Sequence, residues 1–536
     1  MQRLRIGILD LVARAPSTAL WSRIMNPNFA SVMPQAIAVW CEQDGHDVHY
    51  VCYTGSEVLS SELPTDIDVL FVGAFTEAAQ LSYAISALFR ARGAVTVLGG
   101  PHARCYPEDA GRFFDYVLGF TDHETIRDVI RERAEHRPVG VQMSAPRQPT
   151  QLPGAQARWK FIAPTLEKAK MFKLVPMIAS LGCPYTCSFC IDSTVDYQAM
   201  SYEQLATDLR FLRTVMDKPY VGWQDPNFGV RFDEMLGVIE EAVPPGSVKF
   251  VAESSLSLLS EPRLQRLRKN GFLAMLPGVE SWFSLGNKSR TGHTFGEEKV
   301  RQVAEHVNMI LRYIPYVQTN FVFGLDCDEG PEPFRLTKMF VDLVPGAFPA
   351  YSLLTAFGRA APLNLEFQRD GRVLSFPHHF LDNHGAMNVR PKNYTWSRFY
   401  EHMIDLTHHS FSTRSVARRL MANRQVIPRT LNVIRAYAGE GRQRLVYYRT
   451  LRKHLAKDVP MRAFFEGEST AVPRFYIDRI RNDLQGYWDA LPADALYHDQ
   501  NAYLRSTTKP PQPKVMNSSL GSAAAPSIAA NAAMVQ

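Results

Sequence analysis

Three cysteines, Cys183, Cys187 and Cys190, fall in the run Leu181-Gly182-Cys183-Pro184-Tyr185-Thr186-Cys187-Ser188-Phe189-Cys190, a C-x3-C-x2-C spacing. Three thiolates this close can hold three corners of an iron–sulfur cluster, and a fourth ligand is needed to fill every iron. An iron left open is a place where a substrate can meet a redox-active metal. The same residues also suit a zinc site completed by a distant histidine, or part of a disulfide framework. Zinc knuckles pair a C-x2-C unit with a second Cys/His pair, and none follows here. The other cysteines, Cys41, Cys52, Cys105 and Cys327, are scattered singly. A chain of 536 residues with seven cysteines is too long and too cysteine-poor for a disulfide scaffold.

The elements around this loop read as α/β throughout. Over residues 1–135, strand signals at 5–12, 48–53, 68–74, 94–98 and 116–119 alternate with helical spacing at 33–43, 77–91 and 124–134. This alternation predicts a doubly wound sheet of parallel strands, whose ligands collect at the carboxyl ends where the strand order reverses. Residues 136–173 read as a linker, with a proline-rich stretch at 144–154. From 174 to 360, six strand signals (174–180, 220–224, 248–252, 273–279, 316–323 and 351–356) alternate with helical ones, predicting a partial (β/α)6 barrel. Active residues in barrels sit at the carboxyl ends of strands. The conspicuous polar residues fall there: Asp225 and Asn227 after the second strand, Glu253 after the third, Glu280 and Ser281 after the fourth, and Gly324 after the fifth. Residues 361–505 read as a mainly helical extension. The tail at 506–536, rich in Pro, Ser and Ala, reads as disordered.

The cysteine spacing, with Phe189 just before the third cysteine, resembles the radical S-adenosylmethionine (SAM) enzymes. The segment Gly99-Gly100-Pro101-His102, after a buried strand, is similar to the turn of the cobalamin-binding domain that precedes many such barrels. The whole is identified by resemblance as a cobalamin-dependent radical SAM enzyme. That resemblance implies a 4Fe–4S cluster on Cys183, Cys187 and Cys190, SAM held by Phe189, Asp225, Asn227, Glu280, Ser281 and Gly324, and cobalamin lined by Thr76, Gly99, Gly100 and Gly119. Asp225 can accept from the amino group of SAM, and Asn227 can instead cap the following helix. The loop Asp10-Leu11-Val12-Ala13-Arg14-Ala15 carries no histidine, so the corrin cobalt would lack a protein imidazole. The implied chemistry is reductive cleavage of SAM to a 5′-deoxyadenosyl radical, hydrogen abstraction from an unactivated carbon, and methyl transfer to a small molecule. Cyclisation or oxidation without methyl transfer is an alternative within the same architecture. An iron–sulfur or zinc protein that senses redox state is an alternative of another class.

Composition narrows the partners. With 46% hydrophobic and 21% charged residues and a net charge of +6, the chain has a globular profile and no dense Lys/Arg block for nucleic acid. It has no apolar run of transmembrane length. The expected partners are a small-molecule substrate and a reductant such as flavodoxin or ferredoxin, in a reducing cytoplasm. The pairs His378–His379 and His408–His409 lack flanking ligand spacing and are expected to be packed or surface histidines.

Overall fold

The computed structural model describes residues 3–133 and 139–502. The tail expected to be disordered lies outside the described residues.

Near-continuous apolar segments such as Gly7-Ile8-Leu9 and Val97-Leu98 are buried on both faces, as parallel strands covered by helices require. They form a first sheet of β1 (Arg5–Leu11), β2 (Asp47–Tyr53), β3 (Val69–Ala74), β4 (Val95–Gly99), β5 (Tyr116–Leu118) and β6 (Val141–Met143). Its order is β2-β1-β3-β4-β5-β6, and every pairing is parallel. The chain runs one way from β1 to β2 and the other way from β3 onward, so the crevice of a doubly wound sheet opens beside β1 and β3.

The second sheet contains β7 (Leu174–Met177), β10 (Tyr220–Trp223), β11 (Lys249–Ser255), β12 (Phe272–Glu280), β13 (Tyr316–Phe323) and β14 (Phe348–Leu353). These strands are ordered as they occur in the chain and are all parallel. Among the described residues β7 and β14 do not pair, which leaves a six-stranded open barrel. A short antiparallel pair, β8 (Ser180–Leu181) and β9 (Gln198–Ala199), closes the base of the cysteine loop.

One face of the first sheet has its own core around Ile6, Ile8, Trp40, Phe71 and Val97. The other face shares a continuous apolar core with the barrel, through residues such as Leu70, Tyr83, Leu98 and Phe114. The two sheets are therefore packed parts of one body. The extension holds helices Trp396–Phe411 and Arg442–Lys457, packed together, with the first also against helix Glu332–Leu343 of the barrel. The segment after Leu484 returns to the first sheet: Gln80 Nε2 donates to the Ala495 carbonyl at 3.1 Å, and Arg112 Nη1 to that of Tyr497 at 2.8 Å.

Residues 136–173 are more than the expected linker. They supply β6 and helix Ala155–Lys168, in which Arg158, Phe161 and Ile162 are buried. Three residues of strand are too few to show a period, and Pro164 interrupts the helical pattern, so neither stood out in the sequence.

Candidate functional site

The cysteine loop leaves the carboxyl end of β7. Gly182, at φ +68°, sits where an added Cβ would lie 2.3 Å from the Asp196 carbonyl, so only glycine admits this entry to the loop. Within it, Cys190 N donates to the Cys187 carbonyl at 2.9 Å. Cys187 is buried, while Cys183 and Cys190 are half-buried. Asp192 N donates to Cys190 Sγ at 3.4 Å, and Asn227 Nδ2 to Cys183 Sγ at 3.9 Å. Burial raises the Cys190 thiol to about 12, with Asp192 adding to it.

One loop thus presents three thiols, two of them contacted by N–H donors, a donor set that suits three corners of an iron–sulfur cluster. Bound metal would also deprotonate them.

The carboxyl ends of the two sheets face each other across a cavity of about 400 Å³. Phe75, Thr76, Glu77, Pro101 and Cys105 line it from the first sheet. Phe189, Cys190, Ile191, Glu280 and Val322 line it from the barrel, and Leu381, Asp382 and Asn383 from the extension.

Glu280 ends β12 at φ +65°, a left-handed conformation that costs a non-glycine residue about 1 kcal/mol. The turn coincides with a register shift against β13 between Gly278 and Glu280. Lys288 Nζ donates to Glu280 Oε1 at 2.6 Å. Burial alone would lower the Lys288 ammonium, but the carboxylate of Glu280 and the nearby Cys187 hold it above its ordinary value.

The other expected SAM residues support this rim from beneath. Asp225 is buried and accepts from Ala179 N at 3.0 Å and Ser180 Oγ at 2.6 Å, and burial lifts its carboxyl to about 6. Asn227 caps no helix. Its Oδ1 accepts from Ser255 N at 2.9 Å, and Arg231 precedes the next helix instead. Ser281 Oγ accepts from Phe283 N at 3.1 Å and lies 3.7 Å from Cys327 Sγ. Gly324, at φ +93°, lies where a Cβ would strike the Met387 side chain at 2.6 Å. Of the expected SAM residues, Phe189 and Glu280 line the cavity, whereas Asp225, Asn227, Ser281 and Gly324 do not.

On the first sheet, Thr76 lines the cavity, and Gly99 and Gly100 lead directly into Pro101, which does too. Gly100 has φ +89°, and a Cβ there would lie 3.0 Å from the Ala74 carbonyl, so the turn hugs β3. Gly119 is placed apart: its N–H donates to the Met143 carbonyl at 2.8 Å, tying it to β6.

Several cavity residues carried no sequence signal. Cys105 counted as a single scattered cysteine, yet the short helix Pro101–Cys105 brings its side chain to the cavity. Arg14, in the loop after β1, donates to Asp382 Oδ2 at 2.8 Å and lies 3.8 Å from Glu77. Glu77 is lifted to about 7 by burial against the pull of Arg14. These residues are distant in sequence, and only the packing of loop on loop reveals them.

The histidine pairs are packed or part-exposed. His378 and His379 are buried, with Nε2 atoms 3.0 Å from Asp109 and from Asp483 respectively. His102, Asp109 and His378 converge with ligand atoms within 4.8 Å of one another. Tyr83 lies 2.6 Å from His102 Nε2 and donates to Asp109 at 2.8 Å, so this set is already joined by hydrogen bonds.

No protein-family model matches the chain. It is 24% identical over 362 residues to bacteriochlorophyllide d C-12(1)-methyltransferase of Chlorobaculum tepidum, a match covering 66% of this chain and 76% of that protein. It is 26% identical over 317 residues to bacteriochlorophyllide d C-8(2)-methyltransferase of the same organism, covering 54% and 66%. Among solved structures, the radical SAM methyltransferase TsrM from Kitasatospora setae, with cobalamin and a 4Fe–4S cluster bound, superposes with a TM-score of 0.52 at 13% identity, covering 84% of this chain and 100% of that one. The cobalamin-dependent SAM radical enzyme OxsB superposes with a TM-score of 0.54 at 12% identity, covering 90% and 75%. The chain has the fold of the cobalamin-dependent radical SAM enzymes.

Proposed function

We propose that this chain is a cobalamin-dependent radical SAM enzyme that transfers a methyl group to an unactivated carbon of a small molecule. One observation carries the reading: a single cavity is lined both by the third cysteine of the loop and by the crevice of the doubly wound sheet. When bound, the cluster and corrin supply electron transfer to SAM and methyl-group chemistry, and the protein supplies alignment and exclusion of water.

Each residue then has a task. Cys183, Cys187 and Cys190 hold the cluster. Phe189 borders the adenosyl side and keeps water from the cluster. Glu280, steadied by Lys288, accepts from SAM hydroxyls. Ser281 and Gly324 support the same rim, while Asp225 and Asn227 fix the strand ends below the cysteine loop. Thr76, Gly99 and Gly100 border the corrin: a Cβ at Gly99 would stand in open space, so its absence leaves room for a large planar ligand, while Gly100 lets the turn hug β3. Gly119, tied to the edge strand β6, stands apart from this crevice and takes no direct part in the proposal.

The substrate side of the cavity is largely apolar, with Phe75, Ile191, Leu353 and Phe357, which suits a mostly apolar substrate. The bacteriochlorophyllide methyltransferases are named for such a substrate class. The proposal includes a corrin unit at 1–135, a segment at 136–173 that adds β6 and a packed helix to it, a barrel at 174–360 and a closing extension at 361–505. It also includes a flavodoxin or ferredoxin as electron donor, in the cytoplasm. No described helix is long and apolar enough to cross a membrane.

The test is anaerobic reconstitution with iron, sulfide and cobalamin, followed by SAM and reductant. Formation of 5′-deoxyadenosine, and a substrate that gains the mass of one methyl group, support the reading. A product with no mass gain transfers the assignment to cyclisation or oxidation. Absence of SAM cleavage removes the radical assignment altogether.

A further inference from the structure

A side chain of the first sheet's own helices reaches the cysteine loop. Arg104 stands in helix Pro101–Cys105, directly after the Gly99-Gly100 turn. Its Nη2 donates to the Ile191 carbonyl at 2.9 Å, and its Nη1 to Asp192 Oδ1 at 3.1 Å. On its other side the guanidinium lies 5.6 Å from the centroid of the Phe120 ring. The carbonyl it holds belongs to the peptide whose N–H, that of Asp192, reaches Cys190 Sγ at 3.4 Å, and the carboxylate it holds is that residue's own side chain.

We infer that Arg104 is a positioning residue for the cluster, fixing the Asp192 N–H on the Cys190 sulfur and neutralising the Asp192 carboxylate beside it. The inference rests on the cluster assignment above and goes beyond it, because it assigns control of the cluster's potential to a residue of the corrin domain.

Arg104 raises the cluster's potential in two ways. An N–H donor on a ligating sulfur withdraws charge and favours the reduced cluster, which raises its potential. An unpaired carboxylate near the cluster opposes adding an electron, which lowers it. The Arg104 and Asp192 side chains are only about a fifth exposed, at 23% and 21%, so solvent screens their charges less than at an open surface. Losing Arg104 removes the anchor of the N–H and uncovers the carboxylate, and both effects push the potential down. The fork of a guanidinium is needed to hold a carbonyl and a carboxylate together, so lysine replaces it only in part.

The experiment is an EPR-monitored redox titration of the anaerobically reconstituted protein, with iron content measured on the same samples. Arg104→Met is expected to keep its iron and to shift the midpoint to a more negative potential, so the fraction reduced near the parent midpoint falls several-fold. Arg104→Lys should fall between the two. Asp192→Asn should shift the midpoint the other way, and in the double variant it should cancel most of the Arg104→Met shift. Arg359→Met is the control: Arg359 pairs with Glu108 at 3.5 Å, also between first sheet and barrel but with a partner outside the cysteine loop, and its midpoint should stay at the parent's. An unchanged midpoint in Arg104→Met, an equal shift in Arg359→Met, or a double variant that keeps the full Arg104→Met shift would overturn the inference while leaving the cluster assignment intact. A parent protein that takes up no iron overturns both.

Discussion

The first sheet and the barrel are built from the same unit, a parallel strand followed by a helix, yet they present their carboxyl ends differently. In the first sheet the strand order reverses, which opens a crevice beside the Gly99-Gly100 turn, lined by Phe75, Thr76, Glu77 and Pro101. In the barrel the strands follow chain order, so their ends form one curved rim. That rim carries reactive side chains: three cysteines, Glu280 and the buried supports Asp225 and Asn227. The comparison suggests a division of labour in which the crevice accommodates a large ligand by shape and the rim binds by donor chemistry. Substitutions can break that division from either side.

The largest effect is expected on the rim. Replacing Cys187, or either partner cysteine, with Ala should abolish iron retention and SAM cleavage, while corrin uptake by the crevice persists; iron analysis and the corrin absorbance of one sample check both. From the crevice side, Gly100→Ala forces a Cβ against the Ala74 carbonyl at φ +89°, at a cost of about 1–2 kcal/mol. Corrin affinity should fall roughly tenfold or more by absorbance titration, with iron content unchanged. Glu280→Gln keeps the shape of the rim and removes its charge. SAM binding should weaken by about tenfold, the scale of one charge-assisted hydrogen bond, measured by equilibrium binding to the cluster-loaded protein.

A smaller effect concerns pH. Asp328 is buried below the rim and accepts from Gly324 N at 3.0 Å and Leu325 N at 3.2 Å, and burial lifts its carboxyl from 3.8 to about 7. The folded chain holds this proton more tightly than the unfolded one. Its contribution to stability is therefore complete below 3.8 and is lost as pH rises through about 7. Asp328→Asn should flatten the melting profile across that window, a difference on the order of 4 kcal/mol. The smallest effect is expected at Cys327, which is exposed and lies beside Ser281 rather than in the cysteine loop. Cys327→Ser should leave iron content and SAM cleavage at parental levels.

Much of this architecture was legible because it is locally encoded. The strand read at 48–53 is observed as Asp47–Tyr53 and that at 316–323 as Tyr316–Phe323, since both are short segments rich in β-branched and aromatic residues. The cysteine spacing and the Gly-Gly-Pro-His turn are also contiguous in sequence. What stayed hidden depends on contacts between distant segments. Arg14 meets Asp382 across 368 residues, and Arg104 meets Asp192 across 88. Asn227 suited a helix cap by type, but the tertiary partner Ser255 claimed its side chain. The β6 strand was too short to declare itself, so its sheet looked one strand smaller in the sequence.

The central claim is that one chain brings a cluster and a corrin to the two sides of one cavity. Anaerobic purification with added cobalamin, reading iron, sulfide and corrin in the same sample, tests it most directly. The account predicts about four irons and four sulfides with about one corrin per chain, and a Cys187→Ala protein that loses the iron and keeps the corrin. A parent protein that binds iron without corrin, or a variant that loses both together, would contradict it.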